Sequence, residues 1–456
     1  MRGGSRSRGR TPAPVVLAAV AVLAGAMASD GPLHAQARPR TAENRGWWRD
    51  DPLYREIARR LDAVKAIDNH VHLLDKPAFN PAFDLFQPPG LRSTNPALAR
   101  ALEQRFGVPP GLPLPQAVEK AAAARAAMVA RLGEAGYWAD HLDAVGTEIA
   151  LVNQNRPDGT DGGRLRWVPH ATNLLYPLPA DGFVREPGTK GDIEGIQREL
   201  RHLLEEAGRS AVPPDLAGYE AFVDETLARW RSQGAVAVKL WDAYLRTLRF
   251  EDVTEERAGK LYARAVSSPL PRGEYLAVQD RLARRVFARA GELKLPVHVH
   301  SSYGAGSTLR LQEADPRNLE NVIIDPRLQQ TRFVLIHGGG PLFHEAAYLG
   351  ASKPNVWIDV SAMDFLYPVP DLAAVLRTYI VMAPEKVLFS TDVSGYPGVP
   401  VDPEVQHVAV SRIEREALYL ALAGLVRDEF TDLEGAARIG RGVLRGNAAA
   451  LYGWPD

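Results

Sequence analysis

The stretch Ala66-Ile67-Asp68-Asn69-His70-Val71-His72-Leu73-Leu74 places two histidines in alternation with apolar residues. Side chains at positions i and i+2 of a β-strand project from the same face. His70 and His72 are therefore expected to point together from one face, close enough to bind one metal ion. We interpret the stretch as the first strand of a barrel and as half of a metal site. This interpretation requires that later strands supply the missing ligands.

The composition is that of an ordinary globular protein. The chain has 456 residues, of which 46% are hydrophobic and 24% are charged, and its formal net charge is -1. This length allows one large domain or two smaller ones. The near-neutral charge gives no indication of binding to nucleic acid or to an anionic membrane. We expect a small-molecule substrate as the partner, and whether the chain forms a homo-oligomer stays open.

The N-terminal segment has the pattern of a secretory signal peptide. Basic residues between Arg2 and Arg10 precede an apolar run from Pro14 to Ala28, and Ala35-Gln36-Ala37 follows as a small-x-small cleavage site. The apolar run is shorter than the ~20 residues that a membrane-spanning helix needs, so no stable membrane anchor is expected. Residues 1–37 are therefore predicted to be removed, and the mature protein is expected to be exported, either periplasmic or secreted.

The absence of cysteine narrows the chemistry of any site. With no cysteine in the chain, disulfides, thiolate metal sites and cysteine nucleophiles are excluded. A metal ion would have to be held by His, Asp, Glu or a modified Lys.

The rest of the chain alternates short apolar strands with helices. A leader and a helix at 38–65, which Asp51-Pro52 is expected to start, precede strands that begin at about residues 66, 148, 166, 235, 295, 332, 355 and 386. A helical insertion is predicted at about 75–136, after the first strand. Strands that alternate with helices indicate a parallel sheet. Eight β/α units over residues 66–453 predict an α/β fold of the (β/α)₈ TIM-barrel class.

Chemically active side chains fall at the predicted strand ends, where such barrels place their active sites. Imidazole and carboxylate are the usual ligands of catalytic zinc, and a zinc-bound water has a pKa of about 7. A single strand-end histidine is more often a hydrogen-bonded structural residue, and a single aspartate is more often a helix cap. The prediction of a metal site depends on the whole set, which comprises His70, His72, His170, Lys239, His300, His337 and Asp392.

Residues of the predicted fourth and fifth strands allow more than one interpretation. Lys239 could form an internal ion pair, line the barrel with its stem, bind substrate as a cation, or serve as a carbamylated bridge between two metal ions. His298 and His300 share one face of the fifth strand. His300 is nearer the C-terminal end, so we prefer it as the ligand and expect His298 to have a packing role.

Several segments of the chain resemble the amidohydrolase superfamily. The closest similarity is to its amidohydrolase-2 group, nearest to the nodulin-like amidohydrolases that are associated with glutamine synthetase. The similar segments are "AIDNHVHLL" (66–74), "GAVAVKLWDAY" (234–244), "LPVHVHSSYGAG" (295–306), "FVLIHGGGPLFHEAAYLGASKPNVWIDVSA" (333–362), "APEKVLFSTDVSG" (383–395) and "GNAAALYG" (446–453).

The resemblance implies roles for the strand-end residues. It implies that Asp392 binds metal and acts as the acid/base on bound water, with His337 either a ligand of a second metal or a group that polarises the substrate. It places Lys239 at the position that is carbamylated in binuclear members. The implied metal is a divalent ion, in the first place zinc, with one ion or two. The implied metal ligands are His70, His72, His300 and Asp392.

Residues just beyond the strand ends are candidates for contact with substrate. Trp241, Tyr244 and Tyr303 lie there in the predicted topology. Related proteins carry an arginine that follows the lysine of the fourth strand, and Arg246 stands one residue out of step with that pattern. Arg246 is included as a candidate for binding a substrate carboxylate.

Three functions follow from these observations. The leading one is an exported metal-dependent hydrolase that uses metal-activated water to cleave an amide, ester or lactone bond. The alternative is a metal-dependent lyase of the same group, either a non-oxidative decarboxylase or a hydratase. The third is an inactive barrel that binds a ligand, which would require the loss of a core site residue, and none is lost.

Overall fold

Eight parallel strands surround the centre of this computed structural model. The structure describes residues 46–74, 95–265, 268–304, 308–395 and 403–455. Within those ranges the strands are β1 (Ala66–Val71), β2 (Thr147–Asn153), β3 (Leu165–Val168), β4 (Val238–Leu240), β5 (Val297–His300), β6 (Phe333–Ile336), β7 (Val356–Asp359) and β8 (Val387–Leu388).

Hydrogen bonds join these strands into a closed barrel. The order is β1-β2-β3 in one sheet and β4-β5-β6-β7-β8 in another, and every pair is parallel. A bridge between His170 and Lys239 links β3 to β4, and a bridge between His72 and Ser394 links the end of β1 to the segment after β8. The backbone N–H of Asn69 also donates to the carbonyl of Phe389 at 3.0 Å. The prediction of a (β/α)₈ barrel is confirmed.

Helices follow the strands and cover the outside of the barrel. Those of the described residues are α1 (Pro52–Leu61), α2 (Pro96–Phe106), α3 (Leu114–Ala144), α4 (Pro187–Glu206), α5 (Leu216–Ser232), α6 (Glu255–Ala265), α7 (Arg272–Glu292), α8 (Leu311–Ala314), α9 (Glu320–Ile323), α10 (Phe343–Ser352), α11 (Met363–Leu366), α12 (Val369–Met382), α13 (Pro403–Arg427), α14 (Leu433–Arg441) and α15 (Asn447–Tyr452).

Local sequence explains where several helices begin and bend. Asp51 caps α1, because its carboxylate accepts hydrogen bonds from the backbone N–H groups of Leu53 and Tyr54, as Asp51-Pro52 predicted. After β1, α2 and α3 occupy the predicted insertion, of which residues 75–94 lie outside the described part. α3 is kinked at Gly133, whose φ of 71° is accessible to glycine without a Cβ clash.

Apolar side chains fill the barrel interior at one end, and a cavity opens at the C-terminal ends of the strands. Ile67, Leu151, Val334 and Leu388 form an apolar layer inside it, packed against α15. Larger clusters on the outside bury the strands against the helices. Burial of this apolar area, at about 25 cal/mol per Å², is the dominant stabilisation of such a fold. The side chains beyond the apolar layer are polar, and they face the C-terminal ends of the strands.

The compact unit that contains the barrel extends from residue 48 to residue 456. The helix α1, predicted to belong with the leader at 38–65, lies inside this unit. No helix in the described ranges has the length and apolar character needed to cross a membrane. The predicted signal peptide lies outside the described residues and stays a prediction.

Candidate active site

A cavity of about 310 Å³ opens at the C-terminal ends of the strands. This is the end at which barrels of this class carry their active sites. Most of the residues predicted for the site meet there. The lining residues are His70, His72, His170, Lys239, Trp241, Tyr244, His300, His337, Asp392, Ser394 and Gly395.

An irregularity in β1 places His70, and His72 just after the strand, in the cavity. The register of β1 on β2 shifts between Asp68 and Val71. Asp68 points outward to His407 on α13 and Val71 packs in an outer cluster, while Asn69 bonds to Asp359 inside the barrel. This register shift corresponds to one extra residue in β1, a β-bulge, which interrupts the alternation of side chains between the two faces. As a result, His70 points into the barrel like Asn69, and His72 lines the cavity as well. The expectation that His70 and His72 share one face is confirmed.

Asp392 lies at the base of the cavity among the histidines. One carboxylate oxygen, Oδ1, is 3.1 Å from His70 Nε2 and 3.6 Å from His72 Nε2. The other, Oδ2, is 3.9 Å from His337 Nδ1. Asp392 has a φ of 53°, a region that residues other than glycine rarely adopt and that recurs at functional sites.

The described donor atoms suit a divalent metal ion. His300 Nε2 and His70 Nδ1 are buried and have no hydrogen-bond partner among the described residues. Burial, together with the charge of Lys239, holds the pKa of His70 and of His300 well below the usual value. Their rings are therefore neutral near neutral pH, the form that binds metal. Neutral imidazoles beside one carboxylate match the ligands of catalytic zinc.

The ligand atoms that lie close together differ from the set that the resemblance implies. One potential ligand atom of each of His70, His337 and Asp392 lies within 4.8 Å of the others. The set that the resemblance implies replaces His337 by His72 and His300. His300 lines the same cavity and has a buried nitrogen without a partner among the described residues, so its place in the ligand set stays a prediction.

Both ring nitrogens of His337 face neighbouring side chains. Nδ1 is 3.0 Å from Ser361 Oγ, and Nε2 is 3.1 Å from His300 Nδ1. A group that polarises a substrate carbonyl needs an N–H directed into the cavity. The arrangement therefore favours a supporting position for His337 over the predicted contact with substrate.

Lys239 lies directly beside the candidate ligands. Its Nζ is 3.2 Å from His70 Nε2, and burial lowers the pKa of Lys239 to about 8, against the opposing charges of Asp392 and Asp359. This is the place that a carbamylated bridge would need. Carbamylation and a second metal ion stay predictions.

The residues predicted to contact substrate divide into three groups. Trp241 and Tyr244 line the cavity, and the ring of Tyr244 is 4.6 Å from that of His300 between centroids. Tyr303 lies next to the cavity, with its ring centroid 6.4 Å from that of His337. Arg246 lies elsewhere.

The prediction that Arg246 binds substrate is not supported by its position. The side chain is fully buried, and its guanidinium donates to Asp280 at 2.5 Å and to Gln279 at 3.3 Å. Nε donates to the backbone carbonyl of Thr247, and Nη2, which also donates to Asp280, donates to that of Arg249. All of its donors are directed into the wall of the barrel, where Arg246 has a structural role.

The structure also adds residues that the sequence analysis did not assign. His170, at a predicted strand end, forms part of the cavity wall with Ser394 and Gly395. Asp359 and Ser361 lie behind His337. Both stand in a segment that carried the family resemblance, but nothing in their spacing indicated that they would contact a histidine of another strand.

Comparison with known proteins agrees with this geometry. Residues 204–454 match the family model described as "Amidohydrolase". Protein fluG of Emericella nidulans is 25% identical over 243 residues, which are 51% of this chain and 27% of that protein. The chain thus spans about a quarter of the length of this curated relative. The narrower similarity to nodulin-like amidohydrolases stays a prediction.

Two solved structures share the fold. A Lactobacillus casei protein named as a metal-dependent hydrolase has a TM-score of 0.56 at 18% identity, over 87% of this chain and 97% of that one. Glucuronate isomerase from Caulobacter crescentus has a TM-score of 0.58 at 14% identity, over 89% and 96%. At these identities the similarity shows the fold alone. The family match covers more than half of the chain, and on that ground the protein belongs to the amidohydrolase family.

Proposed function

We propose that the protein is a metal-dependent hydrolase that cleaves an amide, ester or lactone bond of a small substrate. The observation that carries the proposal is the position of Asp392. Its carboxylate lies at the base of the cavity, next to His70 and His72, and Asp392 is 5% exposed. A buried carboxylate beside a set of neutral imidazoles can hold a metal ion and accept a proton.

The residues of the site would bind the metal ion and transfer the proton. His70, His72, His300 and Asp392 would hold a divalent metal ion, zinc in the first place. When bound, such an ion lowers the pKa of water to about 7 and polarises a carbonyl oxygen. Asp392 is placed to take the proton of the attacking water and to return it to the leaving nitrogen or oxygen.

The cavity walls indicate the kind of substrate. A volume of about 310 Å³ is at the small end of the range for ligand pockets. Trp241 and Tyr244 offer flat apolar faces, and Arg246 is absent from the lining. Of the residues that the structure describes there, Lys239 is the basic side chain other than histidine. These features favour a planar acyl group over a flexible polyanion.

The proposal is tested by a screen of the metal-loaded protein against amides, esters, lactones and aromatic carboxylates. We expect turnover in one of the first three classes, measured as release of acid or alcohol. Carbon dioxide released from an aromatic carboxylate, without hydrolysis of any of the others, would favour the lyase alternative and contradict the hydrolase.

The role of Asp392 is tested by Asp392→Asn. The amide cannot accept a proton from water, so we expect a loss of about 10²-fold or more in kcat. The matched control is Asp371→Asn, at the start of α12 on the outside of the barrel, for which unchanged kcat is expected. Full activity of Asp392→Asn would contradict the acid/base assignment.

We also propose that the protein is exported. The support is the sequence pattern of residues 1–37. Expression of the full chain in a Gram-negative host should yield a periplasmic protein whose N-terminal sequence begins after Ala37. Recovery of the intact N-terminus from the cytoplasm alone would contradict export.

A further inference from the structure

A chain of hydrogen bonds connects a buried carboxylate to the unpartnered nitrogen of His300. It begins at Asp359 on β7, passes through Ser361 and His337, and ends at the ring of His300 on β5. Asp359 is not exposed, Ser361 is not exposed, and the two histidines are at most 5% exposed. Because water cannot rearrange these groups freely, the positions of their protons depend on one another.

Asp359 sets the direction of the chain. Its Oδ1 accepts from the backbone N–H of Ser361 at 2.9 Å and from that of His337 at 3.4 Å. Its Oδ2 accepts from Asn69 Nδ2 at 2.8 Å. Burial raises the pKa of Asp359, and the hydrogen bonds from Ser361 and Asn69 oppose this rise. Surrounded by donors, Asp359 acts as an acceptor.

The hydroxyl of Ser361 consequently donates toward Asp359. Ser361 Oγ is in close contact with Asp359 Oδ1, and two acceptor oxygens would repel at that separation. With its proton directed to Asp359, Ser361 Oγ presents lone pairs to His337 Nδ1 at 3.0 Å. His337 Nδ1 must therefore carry a proton and donate it to Ser361.

The same reasoning extends to His300. A neutral His337 that is protonated on Nδ1 has a lone pair on Nε2. That lone pair faces His300 Nδ1 at 3.1 Å, so His300 Nδ1 donates. His300 Nε2 is then left without a proton, and it is the buried nitrogen that has no partner among the described residues.

We propose that Asp359 and Ser361 are positioning residues that act through His337 to fix the tautomer of His300, so that Nε2 presents its lone pair to a metal ion. The inference deepens the proposed function and rests on the metal site described there. It also explains why His337 lies against the site with both nitrogens engaged. Carboxylates that orient ligating histidines in this way commonly act directly, whereas here a serine and a second histidine intervene.

The direct test is the tautomer of His300 in the metal-free protein. Nitrogen-15 labelling of the histidines distinguishes protonated from unprotonated ring nitrogens, and His300→Gln and His337→Gln assign the two signals. We expect both rings to carry the proton on Nδ1. Free histidine prefers Nε2, so this outcome is not the default. A proton on His300 Nε2 would overturn the inference.

A second test removes the intermediate hydroxyl. In Ser361→Ala, His337 loses its acceptor, so we expect a mixture of His300 tautomers and a rise of about 10- to 100-fold in the zinc dissociation constant. Ser361→Thr retains Oγ and should restore both. The matched control is Ser411→Ala on α13, because Ser411 is also buried and its hydroxyl has no partner among the described residues.

The outcomes separate this inference from the proposed function. The tautomers are measured without metal or substrate, so a protein that hydrolyses nothing can still confirm the inference. A folded Ser361→Ala variant with wild-type tautomers and zinc affinity would contradict it. If that variant does not fold, the tautomer of the unmodified protein decides.

Discussion

At the scale of single residues, the unpartnered nitrogen of His300 is the most informative atom of the site. A buried polar atom without a partner costs free energy unless a ligand satisfies it. His298, two residues earlier on β5, also has a buried ring nitrogen without a partner among the described residues, Nδ1, while its Nε2 is 2.7 Å from the hydroxyl of Tyr452. The two histidines differ in position, because His300 lines the cavity and His298 is not among the lining residues. The preference for His300 as the ligand, and for a packing role of His298, stays a prediction that metal analysis can test.

We predict that His300→Asn reduces the zinc content of the purified protein by at least ten-fold. The amide cannot replace the imidazole lone pair as a ligand at the same position. Elemental analysis after dialysis measures the change. His202→Asn is the matched control, since His202 is an exposed residue of α4 paired with Glu205. Wild-type zinc content in His300→Asn would contradict its role as a ligand.

We predict that Arg246→Met destabilises the protein and leaves its metal content unchanged. The substitution removes one partner of a buried ion pair and leaves Asp280 with an uncompensated charge, which costs about 3–5 kcal/mol. Denaturant unfolding, monitored by circular dichroism, measures the loss. Arg59→Met removes an exposed pair with Glu56 and should have little effect. Loss of metal at full stability would contradict the structural role of Arg246.

At the scale of elements, α13 supports the end of β8 next to the site. Glu414 of α13 is buried, and its carboxylate accepts hydrogen bonds from the backbone N–H of Ser390 at 3.2 and 3.4 Å. Burial, and then the nearby carboxylates of Asp364 and Asp68, raises the pKa of Glu414 well above its usual value. A buried acid of this kind makes stability depend on pH.

We predict that Glu414→Gln becomes more stabilising relative to the unmodified protein as the pH rises. Above the unfolded pKa and below the raised folded pKa, the folded state holds a proton that the unfolded state has lost, so stability falls with increasing pH. Glutamine removes this dependence. Free energies of unfolding at about pH 5 and about pH 8 measure it. Glu103→Gln, on the exposed face of α2, is the control, and an equal pH dependence in all three proteins would contradict the prediction.

At the scale of the whole molecule, the candidate ligands join distant parts of the chain. His70 lies in β1 and His72 follows it, His300 ends β5, and Asp392 follows β8, so one ion would connect three strands of the barrel. An ion that binds only the folded state stabilises it, by about 2.7 kcal/mol at a concentration 100 times the dissociation constant.

We predict that chelation lowers the thermal unfolding temperature and that added zinc restores it. The reason is that unfolding separates the strands and abolishes the site. Differential scanning calorimetry measures the shift. The His300→Asn variant serves as the control, because its unfolding temperature should respond little to chelator. An equal response in both proteins would show that the stabilising ion binds elsewhere.

The class of fold, and most of the residues that line the cavity, could be predicted from the sequence alone. Alternation of apolar strands with helices is a local pattern, and every predicted strand start lies within three residues of the observed one. The parallel topology then places strand ends together, which is why His70, His72, His300, His337 and Asp392 could be expected at one cavity. The start of α1 at Asp51 could also be predicted, because helix capping depends on residues that are adjacent in the sequence.

The neighbours of each of those residues depend on tertiary contacts that the sequence pattern does not indicate. The inward turn of His70 depends on a bulge in β1, and Arg246 finds its partner on α7, thirty-four positions away. The direction of each hydrogen bond between Asp359 and His300 depends on contacts among the ends of three strands and on the exclusion of water. Such contacts join residues that no local pattern relates, because distances across a barrel are set by the packing of the whole chain.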